Sequence, residues 1–283
     1  MSTSDFKSFH FLENGDISFS IYDTIKSTKT LDPGLYNVDV IQHGNDIIVA
    51  LSTKLNSENL KIHQFPDYDK INTLVKSFFN PAVSDKITNL GFFHKTGILF
   101  YGKEGTGKST IIKHYCQQLI KEQNALVFYF TNKHRLSVPW KFVKDIRKVQ
   151  DNPIVIVFEE FDDLIKNDLE SILKEIMDGH ESINNCLFFA TTNYIDRIPD
   201  AIKLRPSRFK YVLNIEGLQL KSDIKGLVHN MLNQICTEEE IDIISDELKG
   251  QTLDEIKQFC IDKIMDISHY EIRKKTIGFK NKK

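Results

Sequence analysis

Residues Gly102, Lys103, Glu104, Gly105, Thr106, Gly107, Lys108, Ser109 and Thr110 run consecutively and contain the spacing G-x4-G-K-[ST]. Glycines at these positions let the backbone curl so that successive N–H groups face a phosphate. A helix starting at the end of the loop adds its positive terminus. Lys108 would then reach the β- and γ-phosphates of a nucleoside triphosphate, and the Ser109 hydroxyl would ligate Mg2+. The alternative is a plain glycine-rich strand-to-helix turn. The context favours the phosphate reading, because the apolar run Gly97–Tyr101 precedes the loop and a helical apolar stripe follows it.

Three further groupings fit that chemistry. Ile154–Phe158 is an apolar run ending in Glu159 and Glu160. At the tip of a buried strand, Glu159 would serve the metal and Glu160 would polarise an attacking water. Cys186–Asn193 is another apolar run with a polar end, where Asn193 would help orient that water; a cap or turn is the other use of such residues. Leu204–Phe209 contains Arg205 and Arg208, two of only six arginines in the chain. A planar, permanently charged guanidinium stabilises a transferring phosphoryl group better than an ammonium does. An isolated pair of surface arginines is the plainer reading.

These residues need strands to end at the same edge of a sheet. Gly97–Tyr101, Ala125–Thr131, Pro153–Phe158, Cys186–Ala190 and Lys210–Ile215 are short apolar runs alternating with amphipathic segments, the pattern of a parallel α/β sheet. Ile111, Ile112, Tyr115, Cys116, Leu119 and Ile120 make the helical stripe after the loop. Beyond Leu218 the pattern is helical only, with Leu253, Ile256, Cys260, Ile264 and Ile267 on one face. Residues 1–66 alternate short strands with turn signals, among them Asp16–Ile21, Tyr36–Ile41 and Asp46–Leu51, punctuated at residues 32–34 and 43–46. This yields four parts: a small N-terminal β-rich domain (1–66), an α/β core (67–216), a helical lid (217–272) and a basic tail (273–283). The β-rich part would bind partners or act as a spacer.

The 283 residues are 41% apolar and 27% charged with a net charge of −2, ordinary for a globular chain, which excludes a disordered, collagenous or uniformly basic protein. No apolar run approaches the ~18 residues of a membrane helix, so no membrane partner is expected. The four cysteines show neither metal spacing nor paired motifs and read as reduced thiols. The tail holds six of the 37 basic residues and no acid; it would grip nucleic acid or an acidic partner, or stay solvated.

Taken in order, GKEGTGKST (102–110), IVIVFEEFDD (154–163) and ATTNYIDRIPDAIKLRPSRF (190–209) resemble the ATPase core of the AAA+ superfamily, in particular its AAA clade. Leu248–Cys260 is similar to the clade's last helical motif. The resemblance, over about residues 65–268, implies ATP and Mg2+ as cofactors and a homo-oligomeric ring, commonly a hexamer. Arg205 and Arg208 would act on the neighbouring subunit's nucleotide, Arg205 being the better match to the main finger. It also implies ATP hydrolysis coupled to remodelling or unfolding a protein or a protein–nucleic acid complex. The rivals are a DNA-directed ATPase of helicase-loader or clamp-loader type, and an assembly module gated by ATP without hydrolysis. The lysine-rich, arginine-poor composition fits an AT-rich genome. A free-standing ring of this kind would suit a phage or bacterium, with a cytoplasmic location, the host's if phage-encoded.

The sequence departs from the clade's pattern in three places. Glu159 stands where Asp is usual, and Ser207 where Gly is usual. Residues 132–150 lack the glycine of a substrate-gripping pore loop. Within them, Trp140 or Phe142 would grip substrate or, alternatively, pack the following helix on the sheet.

Overall fold

The computed structural model describes residues 6–11, 17–21, 24–28, 30–43, 46–53, 68–130, 136–166, 170–218 and 220–265. Along the chain the elements are β1 (Phe6–Phe11), β2 (Ile17–Ile21), β3 (Thr24–Thr28), β4 (Gly34–His43), β5 (Asp46–Thr53), α1 (Tyr68–Phe78), α2 (Pro81–Asn89), β6 (Lys95–Tyr101), α3 (Lys108–Gln123) and β7 (Leu126–Phe130). They continue as α4 (Ser137–Val149), β8 (Ile154–Phe158), α5 (Phe161–Lys166), α6 (Glu170–Asp178), β9 (Cys186–Thr192), α7 (Asp200–Lys203), β10 (Tyr211–Asn214), α8 (Lys221–Leu232), α9 (Glu238–Glu247) and α10 (Leu253–Ile264). They fall into two units: one built on the sheet, and a smaller one holding α8–α10 together with loop residues 103–107.

All five apolar runs expected to form core strands do so; burial of β7, β8 and β9 on both faces explains why those read as unbroken apolar stretches, whereas the edge strand β10 is only partly buried. The strand order is β10-β6-β9-β8-β7-β4-β5-β1-β2-β3. From β10 to β4 every pairing is parallel, giving six parallel strands. The sixth, β4, joins β7 in register from Gly34↔Leu126 to Val38↔Phe130. Its partner on the other side is β5, antiparallel, and β1–β3 extend the same sheet. Strands expected to stand apart in residues 1–66 are thus hydrogen-bonded into the core sheet. The boundary expected near residue 66 and the turn at 44–45 lie outside the described residues, as does the tail 273–283.

Alternation sorts the strand side chains between two faces. Phe128, Phe130, Ile156, Phe158 and Phe188 form one core with α4, α5 and α6. Trp140 and Phe142 belong to it, at 2% and 4% exposure. The Trp140 indole donates to the Glu181 carbonyl at 2.9 Å, and Phe142 meets Phe128 edge-on at 6.1 Å. Neither is presented to a substrate; the packing alternative is the one realised. The opposite face carries Val127, Tyr129, Val155, Val157 and Phe189 and receives the buried stripe of α3.

Gly97 in β6 marks a close crossing. A Cβ there would stand 2.3 Å from the Arg208 carbonyl oxygen and 2.9 Å from Phe209 Cδ1. In the second unit, Leu218, Ile224, Val228, Leu232, Ile241 and Ile256 pack α8–α10 together. Thr237 with Glu240 and Thr252 with Glu255 form capping boxes that start α9 and α10. The stripe expected on α10 holds at Leu253, Ile256 and Cys260, but Ile264 is exposed, and Ile267 lies outside the described residues.

Candidate functional site

In a parallel sheet the chemistry gathers at the carboxyl ends of the strands, because the connections there are loops that run into helix N-termini. Here β6, β9 and β8 lie side by side, and each ends in one of the groups singled out in the sequence.

The loop after β6 turns through Gly102, Gly105 and Gly107, all at positive φ (148°, 78° and 95°), which a side chain would resist. Lys108 opens α3, is buried, and donates from Nζ to the Gly102 carbonyl at 2.9 Å. The lysine is thus folded over the start of its own loop. The first turn of α3 contains no acidic residue to compete with an anion for its N–H groups. Within the smaller unit, Thr106 donates to the Lys103 carbonyl at 2.9 Å, and the Asp254 N–H donates to the Gly105 carbonyl at 3.1 Å.

β8 ends in Glu159 and Glu160. Glu159 Oε1 is buried without a hydrogen-bond partner among the described residues. Glu160 is exposed and sits at φ 50°, a left-handed conformation that a non-glycine residue adopts only when its surroundings impose it. What holds it is β9: the Glu160 N–H donates to Thr191 Oγ1 at 3.2 Å. Asn193, just beyond β9, is exposed.

Beneath Asn193 lies a network that sequence reasoning missed. Thr192 Oγ1 donates to Asp162 at 2.8 Å and accepts the Tyr194 N–H at 2.9 Å. Asp162 also holds Arg197 at 3.3 Å, whose guanidinium lies 3.6 Å from the centre of the Tyr194 ring. The available signal was the second acidic pair, Asp162-Asp163, one residue after the first.

The two arginines expected to act between subunits part company. Arg208 is 4% exposed; its Nε and Nη2 each meet a carboxylate oxygen of Asp178 at 3.1 Å, and Nη1 donates to the Ala201 carbonyl. So enclosed, it ties α6 to α7, and the trans role expected for it is not supported. Arg205 has a side chain 60% exposed and touches Asp178 at 3.2 Å from outside. Burial pushes the Asp178 carboxyl up, but hydrogen bonds from Arg208 and Ser207 and the charges of Arg208 and Arg205 outweigh it and hold the group below the usual aspartate range.

The chemistry of the donor set can be tested against Mg2+. Among the described residues no cluster of three His, Cys, Asp or Glu could cage a metal. Mg2+ at a nucleotide does not need one; it takes one or two protein oxygens and completes its shell with phosphate and water. Ser109, the second residue of α3, and the unpartnered Glu159 oxygen fit that requirement.

Residues 98–217 match the profile of the ATPase family associated with various cellular activities (AAA). Similar curated proteins include a replication factor C small subunit of Pyrobaculum islandicum, 27% identical over 47% of this chain and 46% of its own length. A proteasome-activating nucleotidase of Methanococcus maripaludis is 26% identical over 59% of this chain and 50% of its own. A proteasome-associated ATPase of Rhodococcus erythropolis is 27% identical over 69% and 40%. The chain thus spans half or less of the length of these relatives. With the parallel strands, the phosphate loop and the profile match in agreement, residues 98–217 are an AAA ATPase family domain.

Proposed function

We propose that this chain binds ATP with Mg2+, hydrolyses it within a homo-oligomeric ring, and uses the cycle to remodel a protein or protein–nucleic acid assembly. The observation that supports the reading is the strand order β6-β9-β8, which sets side by side the three strands that lead into Lys108 and Ser109, into Asn193, and into Glu159 and Glu160. Residues 102–110 cradle the phosphates. Lys108 leaves its loop carbonyl for the β- and γ-phosphates, and Glu160 accepts a proton from a water that Asn193 helps orient. Ser109 and Glu159 would hold Mg2+, which would supply charge neutralisation on the phosphate oxygens. Arg205 of one subunit reaches the nucleotide of the next, while Arg208 stays in its own subunit as a tie.

Hydrolysis per subunit, measured across a wide range of protein concentration, tests this. Activity that climbs with concentration is expected from sites completed between subunits. Glu160→Gln should bind ATP while hydrolysis falls by about 100-fold or more. Unchanged turnover in that variant would remove Glu160 from the role. ATP binding without turnover by the native chain would favour the gated assembly module.

A second reading draws support from the burial of Trp140 and Phe142, which removes the two aromatics that could have gripped a threaded polypeptide. In a DNA-directed loader that grip is not needed, and a replication factor C small subunit is among the similar proteins. That reading expects DNA to stimulate hydrolysis, and deletion of 273–283 to abolish the stimulation.

A further inference from the structure

On the α3 face of the sheet, three polar groups lie together in otherwise apolar surroundings, and the hydrolytic scheme uses only one of them. They are the Cys116 thiol of α3, the Tyr129 hydroxyl of β7 and Glu159 at the end of β8. Tyr129 pairs in register with Val157. Glu159, two residues on, returns to the same face and stands diagonal to Tyr129, a separation that two long side chains can bridge.

Both Tyr129 Oη and Glu159 Oε1 are buried, and neither has a hydrogen-bond partner among the described residues beyond the weak Cys116 thiol beside the tyrosine. One is a donor and the other an acceptor. Leaving both unmade in the interior is costly, so the pair has reason to close. A tyrosine hydroxyl carries its proton at neutral pH, so Tyr129 is a donor. The extra methylene of Glu159 relative to an aspartate is what would carry a carboxylate oxygen down to this hydroxyl.

We propose that Tyr129 is a positioning residue for Glu159, its hydroxyl donating to Oε1 so that the other carboxylate oxygen faces the metal's water shell. This rests on the Mg–nucleotide reading above. Tyrosine on β7 and glutamate in place of aspartate on β8 are then one matched device.

The test compares the native protein with Tyr129→Phe, Glu159→Asp and the double variant. Mn2+ affinity in the presence of ADP is read by electron paramagnetic resonance, nucleotide affinity in EDTA by calorimetry, and thermal melting without nucleotide. Tyr129→Phe should weaken Mn2+ by about tenfold, the loss of one charge-assisted hydrogen bond. Its nucleotide affinity in EDTA should match the native protein, while its melting temperature falls by a few degrees because buried Glu159 Oε1 loses its donor. In the Glu159→Asp background the same change should do nothing further, since the shorter carboxylate does not reach the hydroxyl. Native Mn2+ affinity in Tyr129→Phe would overturn the inference alone, as would an equal loss in the aspartate background. Failure of the native chain to bind nucleotide and Mn2+ at all would overturn the Mg–nucleotide reading, and this inference with it.

Discussion

Arg205 and Arg208 share one carboxylate oxygen, Oδ2 of Asp178, yet only Arg208 is closed off from solvent. Three positions apart in sequence, they are an exposed charge and a structural rivet. Arg205→Ala should leave the melting temperature unchanged and cut ring-dependent hydrolysis by about a thousandfold, as loss of a trans-acting arginine does. Arg208→Ala should instead destabilise the fold by about 3 kcal/mol, because it strands a carboxylate within a buried pair. Denaturant titration and hydrolysis assays on both variants separate the two roles; a stability loss confined to Arg205→Ala would reverse the assignment.

Glu160 lies at φ 50°, so its backbone bears a cost that glycine would not. Glu160→Gly is expected to raise stability by about 1 kcal/mol while hydrolysis is lost. Unfolding curves read the first and phosphate release the second. A destabilised glycine variant would mean that the freedom glycine adds to the unfolded chain, and not the strain relieved at φ 50°, dominates at this turn.

His94 is buried and stacked 4.1 Å from the Phe78 ring. Burial lowers its pKa, offset in part by the Phe78 backbone. The folded chain therefore takes up this proton at lower pH than the unfolded chain. Stability is complete above the ordinary histidine value of about 6.5 and declines as pH falls below it toward the folded value, by at most about 1.4 kcal/mol per pH unit. His94→Phe should flatten that part of the profile, measured by denaturant midpoints from pH 7.5 to 5. An unchanged slope would assign it to other groups, His114 among them, whose pKa burial also lowers.

The crossing at Gly97 admits no Cβ, and the atom in the way is a backbone carbonyl that cannot rotate aside. Gly97→Ala should cost about 3 kcal/mol and displace the segment carrying Arg205. Combined loss of stability and of ring-dependent hydrolysis, seen in paired melting and activity measurements, is the expected signature. Native behaviour would mean that the crossing relaxes.

Much of the core was legible because burial on both faces writes a strand as an unbroken apolar run, as in Ile154–Phe158 and Cys186–Ala190. The phosphate loop was legible because its backbone demands glycine. The membership of β4 in the core sheet was not, since Gly34–His43 carries the same alternation whether it pairs with a neighbour in its own hairpin or with β7. Nor could spacing tell Arg205 from Arg208. Their fates are set by Asp178, 30 residues before Arg208, and no periodicity links the two segments. Trp140 was open to either role until the Glu181 carbonyl supplied its indole with a partner inside the core.

The ladder between β4 and β7 makes the N-terminal strands part of one rigid plate. Hydrogen-bonded strands are stiff along the direction of their bonds, and β4 is bonded to β7 on one side and β5 on the other. A tilt of β7 is therefore handed on to β5 and β1 as a tilt of one plate. Whatever displaces the edge of the parallel core displaces β5 and β1 with it.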